Sequence, residues 1–170
     1  MSEPERTPDG RFLVVGGRRW RASDPAIPES LRTELVAELM DARRAVRVAA
    51  GDEVATRSAR RRVHDAKVAL GERGEPWWEP QSEDGVRERL TAAVWTLLRH
   101  RRPESTICPS DAARVVGGTA WRDLMDTARE VAAELAAKGL VEVRQRGRSI
   151  DPASTTGALR LGRGPDWTDD

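Results

Sequence analysis

The segment Arg144-Gln145-Arg146-Gly147-Arg148 places three guanidinium groups in five residues, in a loop between the short stretches LVEV and ALRL. Cations presented this way reach a phosphate backbone or a minor groove. The plainer alternative is a solvated hairpin whose arginines keep an edge strand soluble. Arg99, Arg101 and Arg102, with His100 between them, form a second basic cluster. They either extend the same surface or complement the C-terminal end of their own helix. A third cluster, Arg60-Arg61-Arg62 with Arg57, His64 and Lys67, reads as a helix lying along phosphates. Its alternative is a solvated face partnered by Glu34, Glu38 and Asp41 of the preceding helix, and that is the reading preferred.

Groups for catalysis are scarce. Cys108 is the single cysteine and stands just before a helix start, where a thiol pKa can fall. A nucleophilic cysteine needs a histidine base, and the two histidines, His64 and His100, are placed by no motif. Cys108 is therefore expected to be a small, inert, buried side chain. One cysteine and two histidines have no zinc-site spacing. Gly16-Gly17 and Gly117-Gly118 are turns, because the lysine of a phosphate loop and the dinucleotide spacing are both missing. No carboxylate pair sits in the apolar setting that acid–base chemistry requires. The chain is expected not to be an enzyme and to need neither cofactor nor metal.

The elements that must position these groups are small. The chain has 170 residues, 38% hydrophobic and 34% charged, enough for one medium domain or two with modest cores. The net charge is +1, from 29 basic and 28 acidic side chains, and the balance is even in both halves. A strongly basic nucleic-acid binder looks different, so any such surface must come from local clustering. Lys67 and Lys138 are the only lysines and asparagine is absent, the mark of a GC-rich coding bias that weakens arginine as a phosphate signal. No apolar run approaches the roughly 18 residues of a membrane span, and the polar opening MSEPERTPDGR lacks the apolar core of a secretory signal. The protein is expected to be soluble and cytoplasmic, with no membrane partner.

Residues 1–10 read as a disordered lead. Phe12–Val15, Gly16-Gly17 and Arg18–Ser23 read as a β-hairpin, with Trp20 and Ala22 on one face and Arg19 and Arg21 on the other. Leu31, Leu35, Leu39, Ala42, Val46 and Ala49 mark one helix; Ala59, Val63, Ala66 and Leu70 mark a second, ended by Gly71. Residues 11–74 are thus a hairpin on an antiparallel helix pair. Residues 75–85 form a Trp/Pro linker, with Ser82 as N-cap of the next helix. Residues 86–165 run helix, short strand, helix, turn, long helix from Trp121 to Lys138, strand, basic loop, strand, which is the order of a winged helix-turn-helix. Residues 166–170 are an acidic tail. The fold class expected is mainly α with short β.

The segments CPSDAARVVGG, WRDLMDTAREVAAELAAKGLVEVRQRG and GALRLGRG resemble a bacterial domain family of unknown function with a winged-helix-like fold, over about residues 84–165. GRRWRASDPAIP, ELMDARRAV and AKVALGERGEPWWEP resemble a companion domain of unknown function, over about residues 11–80, often seen with it under the automatic label "biopolymer transporter Tol". The resemblance implies a two-domain bacterial protein and no established activity. Other relatives of the C-terminal domain carry a cysteine-rich, metal-binding type of segment that this chain lacks.

Trp77 and Trp78, between Pro76 and Pro80, cannot both fill one core from an extended segment. One ring is expected on the helix pair, the other at the C-terminal domain or on the hairpin near Trp20, so that Trp20, Trp77 and Trp78 set the domain interface. The alternative is an exposed stacking or peptide-gripping platform. On the long helix, Arg122 stands where it can touch a base edge. Asp123, Asp126, Glu130 and Glu134 beside it oppose phosphates and argue against strong sequence-specific binding. The function expected is a non-catalytic binding protein that contacts nucleic acid through Arg144, Arg146 and Arg148, with Arg122, Arg99, Arg101 and Arg102 adding to the surface, at modest and salt-sensitive affinity. The alternative is a protein–protein adaptor that uses the Trp77–Trp78 region and no nucleic acid. The sequence leaves the oligomeric state open.

Overall fold

The computed structural model describes residues 3–152 and 155–169. The elements in order are β1 (Glu5–Arg6), β2 (Phe12–Val15), β3 (Arg18–Arg21), α1 (Glu29–Val48), α2 (Glu53–Ala69), α3 (Glu83–His100), α4 (Pro109–Gly117), a 3-10 segment (Gly118–Leu124), α5 (Met125–Ala137), β4 (Val141–Gln145), β5 (Arg148–Ser149) and β6 (Arg160–Arg163). The fold is mixed α/β, with two antiparallel three-stranded sheets ordered β1-β2-β3 and β5-β4-β6.

Both sheets are built on the same kind of turn. Gly16 and Gly17 have φ of 56° and 74°, and Arg146 and Gly147 have 52° and 76°. Two successive positive values are what a two-residue hairpin loop needs to match strand twist. The hairpin expected at Phe12–Arg21 is present, with Leu13 opposite Trp20 and Val15 opposite Arg18. Part of the lead expected to be disordered joins it: Glu5 pairs with Val14 and Arg6 with Leu13. Thr7 and Asp9 fold it back, Thr7 Oγ1 accepting from the Phe12 N–H at 3.1 Å and Asp9 from the Arg11 N–H at 3.1 Å.

α1 and α2 diverge from the turn at 49–52 as antiparallel helices do. Thr56 reaches back to the Ala49 carbonyl near the turn and Arg62 to Glu38 further out. Asp52 caps α2, accepting from the Ala55 N–H at 3.0 Å. Gly71 ends it: its N–H donates to Val68 O and that of Glu72 to Lys67 O, with Gly71 at φ 79°. Ser82 caps α3 through the Gly85 N–H at 3.0 Å.

α3 is the centre of the molecule. Leu90, Ala93, Val94, Leu97 and Leu98 are all buried, and so are Arg89, Thr96 and Arg99. A narrow stripe through Asp84, Glu88, Thr91 and Trp95 stays open or partly open, so the covered face is far wider than that of an ordinary surface helix. One apolar cluster runs from Leu35 and Leu39 of α1 through α3 to Val115, Val131, Val143 and Leu161. The stretch 75–85 is thus a feature of the chain path and not a gap in the core. The long helix expected from Trp121 is wound differently, as the 3-10 segment followed by α5. The tighter segment sets Leu124 into the space left by the missing side chain of Gly117, where a Cβ would stand 2.9 Å from Leu124 Cδ1. In the second sheet, Ile107 adds a bridge to Leu161 of β6.

A buried ion pair ties the halves together. Arg89 of α3 is 4% exposed and donates to Asp24 Oδ2 at 2.9 Å, to Ala69 O at 3.1 Å and to Val115 O at 3.3 Å. Asp24, 5% exposed, also accepts from the Ala26 N–H at 2.8 Å. Burial lowers the Arg89 pKa from its usual value, and the Asp24 carboxylate opposes that shift. At the same junction Gly118, with φ 53°, lies where a Cβ would stand 2.9 Å from the Cβ of Ala26.

Replacing Arg89 by Met strands the Asp24 carboxylate and two carbonyls. It is expected to cost about 3–5 kcal/mol in urea unfolding; a loss below about 1 kcal/mol would show that the pair is not a structural tie. Gly118→Ala combines a disfavoured φ with a clash, and a loss of at least about 1 kcal/mol is expected by the same measurement.

Candidate nucleic-acid interface

The β4–β5 hairpin carries the three arginines singled out first, and their situations differ. Arg144 is half-buried and bonds Glu142 through Nε at 2.9 Å and Nη2 at 2.6 Å. These bonds hold the Glu142 carboxyl below the usual glutamate range. Arg144 is therefore largely neutralised by its neighbour. Arg146 and Arg148 are exposed, with no ion pair among the described residues. Arg146 is the positive-φ residue of the described chain that is not glycine. Gln145 braces the hairpin, donating to Thr156 O at 2.9 Å, and Arg129 of α5 donates to Gly157 O at 2.8 Å and Thr155 O at 3.1 Å.

The second cluster is taken apart by the fold. Arg99 is buried and its Nη1 lies 2.6 Å from Asp65 of α2. Arg101 grips Glu34 of α1 with two bonds of 2.8 Å and donates to Thr106 O at 2.9 Å. Glu34 holds the Arg101 pKa above its usual value. The structure places both arginines as ties between helices rather than as a cationic surface, because each helix they face offers a carboxylate. Arg102 is exposed. In the α2 cluster, Arg62 is bound by Glu38, which is 2% exposed, at 2.7 Å, while Arg57, Arg60 and Arg61 are exposed.

Arg122 lies in the 3-10 segment with its guanidinium carbon 4.5 Å from the Trp121 ring centroid, and that of Arg114 lies 4.6 Å from the same centroid. Both arginines are exposed and Trp121 is half-buried. The electron-rich face of one indole thus attracts two cations. Sequence reasoning missed Arg114. The signal was its seven-residue separation from Trp121 across the Gly117-Gly118 turn, which is legible only once the turn's geometry is known.

Trp77 and Trp78 pack edge to face, 5.2 Å apart. The Trp77 indole donates to Ala22 O at 2.9 Å. Trp78 meets Phe12 edge-on at 5.5 Å and lies under the guanidinium groups of Arg11 and Arg21. These contacts run to the N-terminal strands, on the Phe12 face of the hairpin. Trp20 is on the opposite face, 48% exposed, with Lys67 Nζ 5.5 Å from its ring. Cys108 is half-buried at the start of α4, where its N–H donates to Asp111 at 2.9 Å. Among the described residues no group of three or more His, Cys, Asp or Glu side chains could hold a metal ion, and no helix is long and apolar enough to cross a membrane.

The two kinds of arginine separate in stability. Arg101→Ala leaves Glu34 half-buried and alone, and a loss of about 1–3 kcal/mol in chemical unfolding is expected. Arg102→Ala is expected to stay within about 0.5 kcal/mol. Equal effects would show that the Glu34 bonds add nothing.

No curated protein matches the chain. Residues 87–164, from α3 to the end of the second sheet, match the family model described as "Protein of unknown function (DUF3253)".

Proposed function

We propose that the chain is a non-catalytic cytoplasmic binding protein whose C-terminal half is a winged helix-turn-helix. In this reading the β4–β5 hairpin is the wing, and Arg146 and Arg148 contact the phosphates of nucleic acid. The observation that carries it is Arg146 itself. A left-handed conformation costs a side-chain-bearing residue about 1–2 kcal/mol, and glycine or asparagine would relieve it. Here the position holds an exposed cation with no partner in the described chain. The turn itself requires a positive φ here, so what supports the reading is that an exposed arginine fills a position that glycine or asparagine would fill with less strain.

Three further observations support the reading. α3, the Ile107 bridge, α4, the 3-10 segment, α5 and the β4-β5-β6 strands follow one another in the order of that motif. Of the carboxylates on the helix that would face a groove, Glu130 and Glu134 are bound by Arg87 of α3, so their repulsion toward phosphates is reduced. Arg114 and Arg122 flank Trp121 at the N-terminal approach to that helix, where base-edge contacts arise. The adaptor alternative has less to stand on, since both rings of the Trp77–Trp78 pair are engaged with the chain's own strands.

Fluorescence anisotropy of labelled duplex DNA tests the proposal. Binding is expected to weaken with salt at a slope of about two to five phosphates. The Arg146→Gly, Arg148→Ala double variant is expected to bind all sequences more weakly alike, with a slope lower by about two. Arg146→Gly alone should not lower stability. Absence of binding at low salt, or a double variant that binds as wild type, overturns the wing.

A further inference from the structure

On the other side of the molecule's first sheet, the β2–β3 hairpin and α1 enclose an open groove of about 480 Å³. Leu13, Trp20, Val36, Leu39 and Met40 line it. Val15 at its end is 53% exposed and Trp20 is 48% exposed. The other lining groups are mostly cationic: Arg18, Arg21, Arg43 and Lys67, against one carboxylate, Glu72. That carboxylate is already used, accepting from Ser23 Oγ at 2.9 Å and lying 3.9 Å from Lys67 Nζ. Arg21 is turned away to the carbonyl of Gly74 at 2.8 Å. Arg18 and Arg43 are exposed and have no ion pair among the described residues. Lys67 is pushed below its usual pKa, by burial first and also by Arg43 and Arg73, while Glu72 opposes this. The groove is an apolar floor beside positive charge that the chain leaves uncompensated.

The edge of the sheet adds a direction. Among the described residues β3 is an outer strand, paired with β2 in the order β1-β2-β3. The Ala22 N–H donates to Arg11 O, so with a two-residue period the inward-bonded residues of β3 are Trp20 and Arg18. The main-chain groups of Arg19 consequently face outward. A strand added there sends every second side chain to the face shared by Leu13 and Trp20. A small aliphatic acid could use the apolar floor and one cation, but not the strand edge.

We propose that this groove docks an extended acidic peptide, which pairs with the β3 edge, sets apolar side chains on Trp20 and Leu39, and places carboxylates on Arg18 and Arg43. This is a strand-addition mode in which main-chain bonds supply affinity and the groove supplies selectivity. It involves none of the residues assigned to the wing and stands whether or not nucleic acid binds there.

The test is selection of a random octapeptide display library on the full chain, followed by anisotropy with the enriched peptides synthesised and fluorescein-labelled. Enrichment of sequences that combine Asp or Glu with large apolar residues is expected. Arg18→Glu with Arg43→Glu should weaken their binding at least about tenfold while circular dichroism stays unchanged, and Trp20→Ala should weaken it similarly. No enrichment, enrichment of basic or neutral peptides, or binding indifferent to these variants overturns the proposal. So does binding of decanoate with no peptide enriched, which would assign the groove to a small carboxylate. Loss of duplex DNA binding in the Arg18→Glu, Arg43→Glu variant would assign these cations to nucleic acid and overturn it as well.

Discussion

One guanidinium group, that of Arg89, sits where three segments of the chain meet. It bonds the loop before α1, the end of α2 and the end of α4. A buried cation is tolerable only when its charge and its donors are matched, and here the matches come from far apart in sequence. The constraint propagates outward. Asp24 must be held for Arg89, which fixes the start of α1. Gly71 must stay bare, because a Cβ there would press on Trp77 at 3.1 Å and on Asp24 at 3.3 Å. Trp77 then has a fixed place from which to bond Ala22, and the hairpin is anchored in turn.

Around that centre the chain spends its arginines in two ways. Arg62, Arg99 and Arg101 join helix to helix through Glu38, Asp65 and Glu34. Each of these pairs is at least partly shielded, and each involves carboxylates of α1 or α2. Arg18, Arg43, Arg146 and Arg148 have no such partner among the described residues. A near-zero net charge therefore conceals a division between internal ties and outward cations. The even count of basic and acidic groups is what the ties require, and it says little about the surface that remains.

Local features were legible in the sequence. Gly16-Gly17 between apolar strands, the leucine period of α1, Ser82 before α3 and Gly71 after α2 each act over a few residues, and each appears where the residues direct. The partners of arginine were not legible, because Arg99 and Arg101 look the same as Arg102 until distant carboxylates are brought to them. Of Glu34, Glu38 and Asp41, the carboxylates expected to partner α2, Glu38 does so through Arg62, while Glu34 goes to Arg101 and Asp41 pairs with Arg44 on its own helix. The 3-10 winding after Gly118 was hidden too, since Trp121, Leu124, Met125 and Ala128 fit a helical period. The candidate wing was visible as composition. Its distinguishing feature, Arg146 at positive φ, is a matter of backbone geometry.

The reach of the Asp24–Arg89 bond, 65 residues along the chain, bears on how the protein is made. While the first two helices leave the ribosome, Asp24 has no cation and the inner sides of α1 and α2 have no cover. That nascent half stays exposed to chaperones and proteases until α3 clears the exit tunnel. The interval between the emergence of α2 and that of α3 thus sets how long Asp24 waits for its cation.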